Sequence, residues 1–254
     1  MRPIVRNLIG LGGFLVIWEA AARLGLVTKS IPPFSVVLSR LVELLGDEAF
    51  LRDIVATVLA WAIAVVIAVT IAVPAGLLLG SIPGLRVATR AIVELLRPIP
   101  SVALIPAALV AIGGGPETKI TLAIYAAVWP ILFNTIYALD EIDPLLEETA
   151  RSFGAGKTRV LTSVALPHAA PFIFTGIRLS AAIALIVVIS VEFIAGALRG
   201  IGKFSLQAYE GGGRMDLLLA ATLVAGAIGY LINEGLERFG RRKFKWSTVT
   251  GERR

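Results

Sequence analysis

The stretch IVATVLAWAIAVVIAVTIAVPAGLLLG, from Ile54 to Gly80, runs for 27 residues without an Asp, Glu, Lys, Arg or His. A helix needs about 20 such residues to cross the hydrocarbon core of a bilayer, which is roughly 30 Å thick. A soluble core helix of this length is expected to show a polar face. The stretch therefore predicts a transmembrane helix.

The composition of the whole chain agrees with this prediction. Of its 254 residues, 57% are hydrophobic and 17% are charged, whereas soluble domains average roughly 45–50% and about 25%. In lipid every backbone polar group must be satisfied internally, and the apolar runs are too long and uniform for barrel strands. We therefore predict an all-α membrane protein with a single domain over residues 1–254 and about six transmembrane helices. The predicted spans are 7–26, 53–81, 91–112, 119–139, 171–197 and 216–239.

The distribution of basic residues predicts the orientation. With six spans, 15 of the 24 Lys and Arg residues lie on one side, eight lie on the other, and Arg178 lies within a span. The side richer in Lys and Arg faces the cytoplasm in membrane proteins. We therefore expect both termini and the loops near 82–90 and 140–170 to be cytoplasmic. This asymmetry explains the net charge of +6 without nucleic acid, and the basic tail from Arg238 to Trp246 is expected to bind anionic membrane lipid.

The sequence lacks the residues that several kinds of chemistry require. The chain has no Cys and a single His, which excludes a thiol nucleophile and any metal site built on these two residue types. The segment from Gly154 to Thr158 partly resembles a P-loop, but the full G-x-x-x-x-G-K-[ST] pattern is missing and no apolar strand precedes it. We therefore expect no bound cofactor or metal and no enzymatic activity in this chain.

The predicted loop over 140–170 has too many residues for a simple connection between helices. Pro144 suits the first turn of a helix, and apolar or small residues follow at helical spacing to Phe153. Gly154 can end this helix in the left-handed conformation. A second short helix is predicted from Lys157 to Val164, ending at Leu166-Pro167. The exposed ridge of the first helix suits either insertion into the groove of a partner or attachment to the bilayer surface.

The same loop carries a recognisable pattern. Glu148-Thr149-Ala150, three residues, Gly154, nine residues, Val164, one residue and Leu166-Pro167 resemble the EAA loop of bacterial ABC importer permeases. The family has Ala where Thr149 stands and Ile where Val164 stands. The segment Arg97-Pro98-Ile99-Pro100 resembles the third-helix motif of the nitrate, sulfonate and taurine branch. Phe174 to Leu179 and Gly200-Ile201-Gly202 are similar to further segments of that branch, so the resemblance covers nearly the whole chain.

This resemblance implies a type I importer permease fold with a cytoplasmic coupling loop, in the inner membrane of a bacterial cell. It implies a homodimer with two ATPase subunits, which hold ATP and Mg, and a substrate-binding protein on the outer face. The implied function is ATP-driven alternating access that imports a sulfonate, taurine, nitrate or another small anion, or a vitamin or aromatic acid. The implied coupling residues are Glu148, Thr149, Ala150, Gly154, Val164, Leu166 and Pro167.

Polar residues inside the spans are costly and by default suggest function. Glu94 and Arg97, three positions apart, are placed to pair on one helix face. The candidates for the translocation path or a gate are Arg97, Pro98, Pro100, Asn134, Arg178 and Glu192. The alternative function is a secondary carrier driven by an ion gradient, although such carriers usually show internal repeats and buried acid relays, and neither is evident here.

Overall fold

A computed structural model describes residues 3–26 and 31–245 of the chain, and for residues 3–8 and 157 the backbone alone. Within these ranges the chain forms helices and turns without β-strands. The helices are α1 (Pro3–Arg23), α2 (Phe34–Leu45), α3 (Glu48–Ser81), α4 (Pro83–Leu96), α5 (Ile105–Ile112), α6 (Pro116–Asp140), α7 (Pro144–Ser152), α8 (Lys157–Val160), α9 (Leu166–Ile194), α10 (Ile201–Glu210) and α11 (Met215–Lys243).

Four continuous helical segments of the described chain are long and apolar enough to cross a membrane: α3, α6, the segment Thr158–Ile194 that contains α9, and α11. They contain most of the predicted spans 53–81, 119–139, 171–197 and 216–239. The first predicted span falls on α1, which is not among these four, so the count of six stays a prediction. The residues at the two ends of the chain, including Trp246 of the predicted basic tail, lie outside the described ranges.

The third predicted span, over 91–112, is not one helix. α4 ends at Leu96, a 3₁₀ turn follows at Ser101–Leu104, and the two halves of the segment are bent by 75°. The bend coincides with Pro98 and Pro100, which remove backbone donors and clash with the preceding turn. The segment fits a span only as a broken pair, which brings the total to five.

The predicted stop at Leu166-Pro167 is also wrong. Helical structure runs on from α8 through a π-helical turn at Leu161–Ala165 into α9. In this wider turn the N–H of Leu166 donates to the carbonyl of Leu161, five residues back. A π-turn changes the local hydrogen-bond spacing, so the turn before Pro167 can form without the proline N–H. The second half of the loop, from Thr158, and the fifth span are therefore one continuous element.

The main core lies between α3, α6 and α9. One face of α3 repeats a small residue at every fourth position: Ala60, Ala64, Ala68, Ala72 and Gly76 are all buried. A Cβ on Gly76 would lie 2.6 Å from Cβ of Thr135 on α6. Small residues at this spacing let membrane helices approach closely, so the row fixes how α3 crosses α6.

A second core joins α2, α10 and α11 to the start of α3. Its buried members include Val37, Phe50, Ile201 and Val224. Neither α2 nor α10 was among the predicted helices. The second core therefore holds α10 across the end of the bundle where α3 begins and α9 ends.

Candidate functional site

Helix α7 is a short exposed helix with a defined cap at each end. The side chain of Asp143 accepts a hydrogen bond from the N–H of Leu145 at 2.9 Å, and Pro144 occupies the first turn. This is the preferred arrangement at a helix N-terminus. Arg151 in the last turn pairs with Glu147 at 2.8 Å, which adds local support at a spacing of four residues. The predicted first helix of the loop is confirmed.

Gly154 ends α7 in the predicted left-handed conformation, with φ of 82°. The N–H of Gly154 donates to the carbonyl of Arg151 at 2.9 Å, and the N–H of Ala155 donates to that of Ala150 at 3.0 Å. These two bonds form a Schellman motif, which satisfies carbonyls that would otherwise end the helix unpaired. A side chain at Gly154 would strain the turn, because L-residues rarely adopt a positive φ.

The outward face of α7 is apolar. Leu145 and Leu146 are exposed, and the side chain of Phe153 is 88% exposed. Glu148 and Thr149 are also exposed, while Ala150 is half-buried. A Phe this open to water gains nothing from hydrophobic burial within the chain. We call Leu145, Leu146, Thr149 and Phe153 the α7 ridge.

The remaining predicted coupling residues lie where the loop joins α9. Val164 is half-buried within the π-turn, and Leu166 and Pro167 are exposed. A groove of about 480 Å³ separates this turn from the ends of α3 and α6, with Glu147 and Arg151 of α7 at its rim. All seven predicted coupling residues thus lie on α7 and the π-turn, or directly next to them.

One ion pair joins α4 to the base of this loop. The guanidinium of Arg86 donates two hydrogen bonds to Asp140, at 2.8 and 2.7 Å. The bidentate geometry fixes the orientation of both side chains, so α4 is held against the end of α6 from which α7 departs.

The opposite end of the bundle contains a buried polar network that the sequence did not predict. Glu192, near the end of α9, is fully buried, and its Oε1 lies 2.6 Å from Nζ of Lys119 on α6. The hydroxyl of Thr57 lies 2.9 Å from Oε2 of Glu192 and accepts from the N–H of Ile201. The N–H of Gly202 donates to Oε2 at 3.1 Å. The network therefore joins α3, α6, α9 and α10.

The glycines at the start of α10 fit around this carboxylate. A Cβ on Gly200 would overlap the carboxyl group of Glu192, and one on Gly202 would overlap the carbonyl oxygen of Ile189. The N–H of Gly200 donates to Asp53 at 3.0 Å. The turn Gly200-Ile201-Gly202 thus needs glycine for close approach and, at Gly200, for its φ of 142°.

The predicted path residues fall into separate groups. Arg97 and Asn134 line one cavity of about 410 Å³ beside α6, and Pro98 and Pro100 form the bend next to it. Arg178 instead points to α11, where it lies 3.1 Å from Glu237.

Glu192 belongs to the buried network described above and does not line this cavity. The predicted local pair is absent as well, because Glu94 bonds to Arg90 at 2.7 Å. Arg97 lies over the ring of Phe133, 4.3 Å from its centroid.

The sequence analysis missed two sets of residues. Lys119 and Thr57 were treated only as parts of spans, and their partner Glu192 is 73 and 135 residues away. The second set is a row of aromatic residues at every fourth position of α6: Tyr125, Trp129, Phe133 and Tyr137. This spacing could have been recognised in the sequence. Within 3–26 and 31–245, no group of three or more His, Asp or Glu residues is placed to hold a metal ion.

Comparisons with known proteins agree with the geometry. A family model described as binding-protein-dependent transport system inner membrane component matches residues 72–242. The chain is 29% identical to the taurine transport system permease protein TauC of Escherichia coli K12, over 96% of this chain and 90% of that protein. It is 30% identical to the bicarbonate transport system permease protein CmpB of Synechococcus elongatus, over 91% and 86%.

A solved structure extends the comparison to the fold. A chain of a bacterial alginate ABC transporter, crystallised in complex with an alginate-bound periplasmic protein, superposes with a TM-score of 0.65. The match covers 94% of each chain at 17% identity. At that identity the likeness concerns the fold, which is that of an ABC importer permease.

Proposed function

Because this chain belongs to the family of binding-protein-dependent transport system inner membrane components, we propose that it couples ATP hydrolysis on a separate ATPase subunit to solute import. The chain is a transport subunit and not an enzyme. The observation that carries the proposal is the α7 ridge, an apolar surface held out by a helix with both ends capped.

In the proposed mechanism the α7 ridge sits in a groove of the ATPase subunit. A helix that presents apolar residues at helical spacing is suited to such a groove. Closure of two ATPase subunits on ATP would draw together the α7 helices of two permease copies. The bundle would then change between two arrangements by rigid-body movement, which is the usual form of such switches. Glu148, Thr149, Ala150 and Gly154 would contact the ATPase, and the turn from Val164 to Pro167 would transmit the movement.

The proposed substrate is a small anion. Taurine and bicarbonate appear in the names of relatives that match nearly the full length of the chain, and a third relative is named as a nitrate import permease. Taurine carries a sulfonate, and bicarbonate and nitrate are small oxyanions. A binding protein on the outer face, as in the alginate transporter complex, would deliver the anion to a homodimer of this chain.

The proposed orientation places α7 and both termini in the cytoplasm, following the excess of Lys and Arg on that side. The chain contains no Cys, so single-cysteine variants can test this directly. A membrane-impermeant maleimide applied to whole cells should leave Ser152→Cys unlabelled and should label Lys203→Cys. The reverse pattern would overturn the orientation.

Phe153→Ala tests the coupling proposal. Because Phe153 is 88% exposed, its loss should not lower the stability of the isolated permease. If the ring fills a groove of the ATPase, removal of this aromatic anchor should weaken binding of the ATPase subunit by about tenfold or more. The measurement is the amount of ATPase retained on the purified permease over a concentration series, together with ATPase activity stimulated by the binding protein.

Val110→Ala is the matched control, because Val110 is 91% exposed on α5, away from α7. It should retain the ATPase as wild type does. If Phe153→Ala and Val110→Ala behave alike, the α7 ridge is not the ATPase contact. If no ATPase accompanies wild type, the importer proposal itself fails and a carrier driven by an ion gradient has to be tested.

A further inference from the structure

A row of aromatic side chains runs along one face of α6. Tyr125, Trp129, Phe133 and Tyr137 are spaced four residues apart, so they share a face, and none of them is fully buried. The rings of Tyr125 and Trp129 meet edge to face at 5.9 Å. The row spans about 18 Å along the helix, at 1.5 Å per residue. Membrane-interface aromatics cluster at one depth, so an interfacial belt does not explain this row.

Arg97 faces this row without an acidic partner. The two arginines of α4 each have an acidic partner: Arg86 bonds to Asp140, and Arg90 bonds to Glu94. No ion pair of Arg97 occurs in the part of the chain that the structure describes. Its guanidinium carbon lies 4.3 Å from the centroid of the Phe133 ring, a contact that leaves the edge of the guanidinium free to donate.

The cavity between Arg97 and α6 offers donors and no carboxylate. Its volume is about 410 Å³, and no Asp or Glu lines it. Ser101 and Tyr137 also line the cavity, and their hydroxyl groups are able to donate hydrogen bonds. The guanidinium of Arg97, in a cavity without a carboxylate, is a donor that an oxyanion would satisfy.

A second cavity of about 410 Å³ adjoins the first, because Phe133 and Tyr137 line both. Arg86, Arg90 and Glu94 line this second cavity, and it lies toward the loop that carries α7. Both of its arginines are paired with carboxylates, so Arg97 is the arginine along the aromatic row that is left to hold an anion.

We propose that Arg97 and the aromatic row of α6 form a transient oxyanion site on the permease itself, for a sulfonate or a comparably small oxyanion. This inference rests on the proposed function and deepens it, since it assigns anion selectivity to the permease as well as to the binding protein. Arg97 supplies the charge, and the aromatic row supplies the wall opposite it.

Arginine labelling tests the site without transport. The permease–ATPase complex in lipid nanodiscs is treated with phenylglyoxal, and peptide mass spectrometry measures the labelling rate of each arginine. At 100 mM, methanesulfonate should slow labelling of Arg97 at least threefold, whereas the neutral isostere dimethyl sulfone should not. Arg52, exposed on α3 and paired with Glu48, is the internal control for screening by salt. Equal slowing of Arg52 and Arg97, or no protection of Arg97, would overturn the proposal.

Variants give a second readout. Arg97→Gln should lower anion uptake at least tenfold, and Arg97→Lys should restore part of it, while Arg52→Gln should transport normally. Wild-type uptake without ATPase stimulation would refute the proposed function. Stimulated ATPase in wild type with unprotected Arg97 would refute the oxyanion site alone.

Discussion

The two ends of the bundle differ in where their polar side chains lie. At the end that holds Glu192 these side chains are buried and bond to one another, whereas at the α7 end the polar side chains are exposed. The Lys119–Glu192 pair is 4% and 0% exposed, while Phe153, Glu148 and Thr149 stand open. A buried, satisfied network restricts a region to one arrangement. An exposed apolar ridge on a helix with capped ends is suited to binding a partner. One end is therefore completed within the chain, and in the proposed function the other is completed by the ATPase subunit.

The largest expected effect comes from breaking the buried pair. Lys119→Met leaves the carboxylate of Glu192 buried without its cation, and such a change typically costs 3–5 kcal/mol. The free energy of unfolding of the purified permease in mixed micelles measures this cost. The double variant Lys119→Met/Glu192→Gln should regain a large part of it, because no buried charge remains. Equal stabilities of the single and double variants would show that the pair does not hold this end together.

A smaller effect is expected where α10 meets the network. In Gly202→Ala the new methyl group would overlap the carbonyl oxygen of Ile189, and overpacking of this kind costs about 1–3 kcal/mol. Gly226→Ala on α11 is the matched control, because nothing lies within 4 Å of its added Cβ. That variant should be neutral or more stable by up to about 1 kcal/mol. Both free energies of unfolding come from the same assay, and a neutral Gly202→Ala would mean that α10 moves freely against α9.

The smallest expected effect comes from removing a helix cap, and it should differ in kind between the two ends of the bundle. Asp47 caps α3 and Asp143 caps α7 with the same geometry, each accepting from the N–H two residues on at 2.9 Å. Loss of such a cap costs about 1 kcal/mol of helix stability. For Asp47→Ala we expect this cost in global unfolding, because α3 belongs to the core.

For Asp143→Ala we expect faster amide exchange confined to α7 and weaker binding of the ATPase, because an exposed helix opens by itself. Hydrogen exchange followed by mass spectrometry distinguishes the two patterns. Global destabilisation by Asp143→Ala would show that α7 belongs to the cooperative unit of the bundle.

The parts of the fold that follow from local properties of the sequence could be predicted. Long apolar runs located α3, α6, α9 and α11, because length and hydropathy are local properties. The cap at Gly154 was predictable for the same reason, since a left-handed turn after a helix strongly favours glycine. The Lys119–Glu192 pair was not, because its members are 73 residues apart and nothing in either neighbourhood specifies the other.

Prolines account for two of the errors, in opposite directions. Pro167 was read as a stop, yet the π-turn before it lets the helix continue. Pro98 and Pro100 fall within the single predicted span 91–112, yet the segment that contains them is bent by 75° between α4 and α5. A proline removes one donor in every case. Tertiary packing then determines whether the helix continues through a wider turn or ends at the proline.

The uninterrupted run from Thr158 to Ile194 has a mechanical consequence. Its 37 residues make a rod about 55 Å long, at 1.5 Å per residue. One end of the rod is joined to α7 and the other holds Glu192 two residues from its tip. A tilt of about 5° at the α7 end would displace the far tip by about 5 Å over this length. In the proposed function this helix would act as a lever, and a small push by an ATPase subunit would be enlarged at the end that holds Glu192.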